Sequence, residues 1–121
     1  MFINFSNHPS ANWEAKQLEA ASVYGTVVDI PFPAIPPEAD NEALRLLSDT
    51  YYQHIEKLLH TAKESSVIHL TGEPTFSFIL VKRLLQNGYK VVASTSYRQT
   101  IEIGNQKTSV FHFIQFRAYQ L

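Results

Sequence analysis

Cysteine is absent from this chain. Its absence excludes disulfides, thiolate nucleophiles and any zinc site built on sulfur, and it fits a reducing, cytoplasmic setting. Missing too is an excess of either charge. The formal net charge is −1, which gives no broad basic footprint for duplex nucleic acid or an anionic membrane. A local pocket for one small anionic ligand stays open. No apolar run approaches the roughly 20 residues of a membrane helix. The start, Met1-Phe2-Ile3-Asn4-Phe5, lacks the basic n-region and apolar h-region of a signal peptide. The expectation is a soluble, cytoplasmic protein. With no HExxH run, no Cys/His set and no Asp-rich loop, neither a metal nor a cofactor is expected.

What is present reads as one domain over residues 1–121. Hydrophobic residues make up 45% and charged ones 17%, a globular rather than a disordered composition. The length suits one shared core. Phe2–Phe5 is a short apolar strand, and Ser6–Asn12 a polar loop. Asn12 is placed to cap a helix over Trp13–Tyr24, with Gly25 as its stop. Thr26–Ile30 is β-branched and reads as the second strand. The prolines at 31, 33, 36 and 37 force an extended connection. Asp40 or Asn41 can cap a helix to about Ala62, with an apolar stripe through Leu44, Leu47, Tyr51, Ile55, Leu58 and Leu59. Val67–Leu70 is the third strand, Pro74–Asn87 a largely apolar helix, and Tyr89–Ala93 the fourth strand. Alternating segments over Gln99–Ile103 and Thr108–Tyr119, around Gly104-Asn105, signal a hairpin. This order predicts an α/β fold: a three-layer, Rossmann-like, mostly parallel sheet with a C-terminal β-hairpin. Ligands of such sheets bind beyond the C-terminal strand ends, where the strand order reverses.

Three post-strand segments carry the candidate chemistry. In Ser6-Asn7-His8-Pro9-Ser10, Asn7 and Ser10 can hydrogen-bond a ligand while His8 orients or protonates a leaving oxygen; the alternative is that Asn7 and Ser10 make only turn and cap bonds. In Thr71-Gly72-Glu73-Pro74-Thr75, a helix start favours an anion and Gly72 permits close backbone approach. Glu73 cuts the other way, because its carboxylate can satisfy the helix end and would repel phosphate. It could instead meet a ribose hydroxyl or act as a base. The Gly-Lys-Ser/Thr run of a Walker A loop is absent. Ser94-Thr95-Ser96-Tyr97-Arg98 offers hydroxyls, a stacking ring and a cation, or else is a solvated turn into the hairpin. His69 and His112 lie in strands and are expected to be satisfied sheet residues. His54 and His60, six apart on a helix, do not share a face. Trp13 is expected to anchor its helix to the sheet.

Phe-Ile-Asn-Phe-Ser-Asn-His-Pro-Ser at residues 2–10, with Trp13 shortly after, resembles the N-termini of small CRISPR-associated ring-nuclease-like proteins. These in turn resemble the CARF domain. The resemblance implies a homodimer that binds cyclic oligoadenylate across its axis at the C-terminal strand ends. It puts Asn7, His8 and Ser10 at the ligand, with Thr71, Gly72 and Thr75 as the later small-residue loop. It also implies metal-free attack of a ribose 2′-oxygen on the neighbouring phosphodiester, carried by positioning and charge stabilisation. Glu73 and the scarcity of basic residues depart from a site for several phosphates. The expected function is binding of a cyclic oligoadenylate or similar small nucleotide in type III CRISPR signalling, with cleavage as a further step. His8 is the catalytic candidate, and Asn7, Ser10, Thr71, Gly72, Glu73, Thr75, Ser94, Thr95 and Arg98 are the contacts. The alternatives are a non-catalytic sensor or sponge of the same fold, and a protein-interaction module using the apolar hairpin (Val110, Phe111, Phe113, Ile114, Phe116).

Overall fold

The structure is a computed structural model and describes all residues, Met1–Leu121. It holds strands β1 (Phe2–Ser6), β2 (Val27–Pro31), β3 (Val67–Thr71), β4 (Lys90–Ile103) and β5 (Gln106–Ala118). The helices are α1 (Ala15–Ser22), α2 (Asn41–Leu59) and α3 (Pro74–Gln86). One sheet runs in the order β2-β1-β3-β4-β5. Its first four strands are parallel neighbours, and β5 returns antiparallel to β4. The order reverses at β1, since β2 lies to one side and β3 to the other.

β1 is buried at every position, as a central strand covered on both faces must be. Alternation divides it. Ile3 and Phe5 join Ile68, Leu70 and Val91 against α2 and α3, where Ile55, Leu59, Phe76, Leu80 and Leu84 complete the main core. Phe2 faces the other way, with Val67 and Val92, and meets Ala21 of α1, Trp13 and Phe116. The second cluster is much the smaller. The sheet is thus covered by α2 and α3 on one face, and by α1 with the segment before it on the other.

Several boundaries differ from the sequence reading. Asn12 does not cap α1. Its N–H donates to Pro9 O (3.0 Å) and that of Trp13 to Ser10 O (3.1 Å), closing a 3₁₀ turn over Ser10–Asn12. Glu14 stands at the N-cap of α1 without a side-chain bond. Asp40 caps α2 through Ala43 N–H at 2.9 Å, and α2 stops at Leu59 rather than Ala62. The largest difference is in β4, which runs unbroken through Ser94–Arg98 because each of these residues has a partner on β5. The expected fourth strand and first hairpin strand are one strand, with a bulge between Thr95 and Ser96. Since β3 pairs β4 only over Lys90–Val92, the distal parts of β4 and β5 have only each other as ladder partners and form a two-stranded arm. Gly104 turns the arm with φ of 63°, as the first central position of a II′-type turn requires. No helix is long and apolar enough to cross a membrane.

Candidate functional site

Asn4, Asp29 and His69 are in register across β1, β2 and β3, so they form one polar rung on the α1 face. Asn4 Nδ2 donates to Asp29 Oδ1 (3.0 Å) and to the His8 carbonyl (2.8 Å). Asn4 Oδ1 accepts from Ser6 Oγ (2.7 Å) and meets His69 Nδ1 at 2.9 Å. A carbonyl and a carboxylate on the nitrogen side fix the amide's orientation. Its oxygen then needs a donor from the ring, so His69 carries its proton on Nδ1 and a lone pair on Nε2. That Nε2 is buried and has no partner. Burial, with the charge of nearby His8 acting the same way, lowers the His69 pKa from 6.5 to about 4. The ring is neutral at pH 7.

The same network builds the loop after β1. The His8 carbonyl also accepts from Trp13 Nε1 (3.1 Å), and His8 N–H donates to Ser6 Oγ (3.2 Å). Ser10 donates to Asp29 Oδ2 from its N–H (3.2 Å) and its hydroxyl (3.1 Å). The backbone of the loop is tied to the sheet while the Asn7 and His8 side chains stay exposed. They border a cleft of about 510 Å³, together with Trp13, Gln17, His69, Ser94–Ser96, Phe111 and Phe113. Its walls combine neutral hydrogen-bonding groups with aromatic rings. It holds one carboxylate, Glu14, and no lysine or arginine.

The candidates from the sequence do not all converge. Asn7, His8, Ser94 and Thr95 meet at this cleft, the last two from within β4 rather than from a loop. Ser10 serves Asp29 behind it. Ser6 and Thr71 are register neighbours, but the chain leaves β1 toward α1 and leaves β3 toward α3. Thr71 and Gly72 therefore border a second cleft of about 640 Å³ on the α3 side, with Phe78, Val81, Leu85 and Leu121. This larger cleft exposes mainly apolar surface, with Lys82 and the buried, unpartnered hydroxyl of Ser77 among its polar groups. The space beside Gly72 is taken by Phe32, whose ring would lie 2.2 Å from an added Cβ. Glu73 is the N-cap of α3, accepting from Thr75 N–H (3.1 Å), Phe76 N–H (2.7 Å) and the Thr75 hydroxyl (2.6 Å). The Thr75 hydroxyl bond, then that from Phe76 N–H, hold its carboxyl below the usual range. Arg98 lies on the arm, donating to Ser109 Oγ at 3.1 Å.

His69 corrects an expectation: half of its imidazole is satisfied and half is not. Trp13 precedes α1 and packs edge-on to Phe2 and His69, with centroids at 6.1 and 5.6 Å. Asn4 and Asp29 lie outside the three segments that the sequence marks, Ser6 enters only as the start of the first, and His69 reads from the sequence as a satisfied strand residue. The signal was there, since Asn4, Ser6 and His69 interrupt otherwise apolar strands with a period of two. Nowhere do three or more His, Asp or Glu side chains gather as metal ligands.

The polar rung lies beneath the α1-side cleft, where the order of the mostly parallel α/β sheet reverses. Residues 1–117 match the Uncharacterized protein MJ1673 family, and the chain belongs to that family. No curated protein and no solved structure matches it.

Proposed function

We propose that the α1-side cleft binds a small ribonucleotide, and that cyclic oligoadenylate, which the residue 2–10 resemblance suggests, is its ligand. The observation that carries this is the lining itself: Asn7, His8 and Ser94–Ser96 beside Trp13, Phe111 and Phe113 at the C-terminal ends of β1 and β3. Neutral amides and hydroxyls suit base edges and ribose, and aromatic rings suit base stacking. The Rossmann-like reading of the fold supports the location. The lack of a cation in the lining favours a ligand held by its bases and sugars more than by its phosphates. A homodimer belongs to this reading, with a ring-shaped ligand held between two copies.

Titration with cyclic tetra- and hexa-adenylate, followed by calorimetry and Trp13 fluorescence, tests it. Trp13 is the single tryptophan, so its emission reports on this cleft alone. The expected result is a change in emission with a Kd of about 1 μM or below, near −8 kcal/mol. Absence of binding to every ring size would contradict it.

Cleavage is the second reading, favoured by two imidazoles at one cleft. In it a ribose 2′-hydroxyl, giving up its proton to water, attacks the adjacent phosphorus through its oxygen, and the P–O5′ bond breaks. A 2′,3′-cyclic phosphate forms, and His8 gives a proton to the departing 5′-oxygen. His8→Ala should then abolish turnover and leave the fold intact. Binding without product in the unaltered protein would leave a sensor or sponge.

A further inference from the structure

His69 is the one buried side chain at the cleft with an unused hydrogen-bonding atom. The residue is 1% exposed, and rings enclose it: Phe2 stacked at 6.3 Å, Trp13 and Phe116 edge-on at 5.6 and 5.3 Å. A buried acceptor without a donor is destabilising. An aromatic residue at this position would fill the space without that cost. What the imidazole adds is an acceptor aimed by Asn4. Asn4 Oδ1 holds the Nδ1 proton, and the rung through Asp29 holds Asn4, so the ring can neither flip nor change tautomer without breaking a buried bond. Nε2 is left as a fixed lone pair that can take only a donor.

We infer that His69 Nε2 accepts a hydrogen bond from a hydroxyl of the bound ligand, a ribose 2′-OH, and so makes the cleft selective for ribo- over deoxyribonucleotides. This rests on the cleft being a nucleotide site. The hydroxyl reaches Nε2 by displacing Trp13, which packs edge-on to the His69 ring at 5.6 Å and donates its one side-chain hydrogen bond to the His8 carbonyl. His69 is a positioning residue: it selects and orients a sugar.

The unaltered protein is titrated with cyclic tetra-adenylate and with its all-2′-deoxy counterpart, and ¹⁵N resonances of the imidazoles are recorded with and without the first. The inference expects the Nδ1–H tautomer in the free protein and a shift of the His69 Nε2 resonance on binding. It expects the deoxy ring to bind on the order of tenfold or more weakly, a ratio that falls toward one in His69→Gln, which can still donate to Asn4. Equal affinity for the two rings, or an Nε2–H tautomer, would overturn the role of His69 while leaving the binding site standing. Failure of both rings to bind would overturn the site and the inference together. Should His69→Gln not fold, the comparison of the two rings and the resonances decide without it.

Discussion

Asn4 is the residue on which the site turns, because one amide satisfies four groups from three segments of chain. Its loss orphans the Nδ1–H of His69 in a sealed environment, frees the His8 carbonyl and the Asp29 carboxylate of one donor, and leaves the Ser6 hydroxyl only its longer bond to that carbonyl (3.3 Å). Each buried orphan costs about 1–3 kcal/mol, so Asn4→Ala should lower the unfolding free energy by roughly 3 kcal/mol in urea titration, more than Ser10→Ala. His69 adds a pH dependence. Its native value of about 4 lies below its ordinary 6.5. Above pH 6.5 both states are neutral there. Below it the unfolded chain takes up a proton that the native ring refuses, so stability falls between pH 6.5 and 4. At about 1.4 kcal/mol per pH unit, the loss from this group is roughly 3 kcal/mol. Stability measured against pH should show that slope in the unaltered protein and a shallower one in His69→Gln, the two curves running parallel above pH 7. Gly72 carries a different burden. Phe32 sits against its Cα and packs on Phe5 (5.1 Å) and Phe76 (5.5 Å). Gly72→Ala must displace that ring, costing about 1–3 kcal/mol in the same titration.

Among the elements, α2 and α3 were the most legible in the sequence. Leu44, Ile55 and Leu59 repeat at helical spacing on a polar background, Asp40 is a strong cap type, and Pro74 fits a first turn. Asp40→Ala should cost about 1 kcal/mol. α1 was less legible, since Asn12 and Trp13 are drawn into a 3₁₀ turn with Pro9 and Ser10 instead of opening the helix. β4 was misread for a related reason. Ser94, Thr95 and Ser96 look like a loop alone, and only their partners on β5 make them a strand. The candidate site was half legible: Asn7 and His8 follow from a polar loop after a strand, whereas Asn4, Asp29 and His69 become one rung only through register. The arm beyond the Thr95/Ser96 bulge lacks a third strand, and a two-stranded ribbon is marginally stable by itself. Amides of residues 97–110 should exchange with solvent far faster than those of β1 and β3, as hydrogen-exchange mass spectrometry would show.

For the whole molecule, the sheet order and the crossing of chain from β1 to one face and from β3 to the other create two clefts. The α3-side cleft is larger and mostly apolar. The α1-side cleft is smaller and carries the polar rung, the imidazoles and the aromatic walls. The arm rises beside the α1-side cleft, and its exposed Tyr97 and Ile103, on one face of β4 by alternation, are the apolar surface that the homodimer proposal assigns to a second copy. Under the homodimer proposal, light scattering should give twice the chain mass, falling to one chain mass in Ile103→Glu. The account depends most on which cleft takes the ligand, and backbone and indole chemical-shift mapping with cyclic tetra-adenylate reads that directly. The account predicts shifts at Asn7, His8, Ser94–Ser96 and the Trp13 indole. Shifts confined to Gly72, Phe78 and Leu85, or none at any residue, would contradict it.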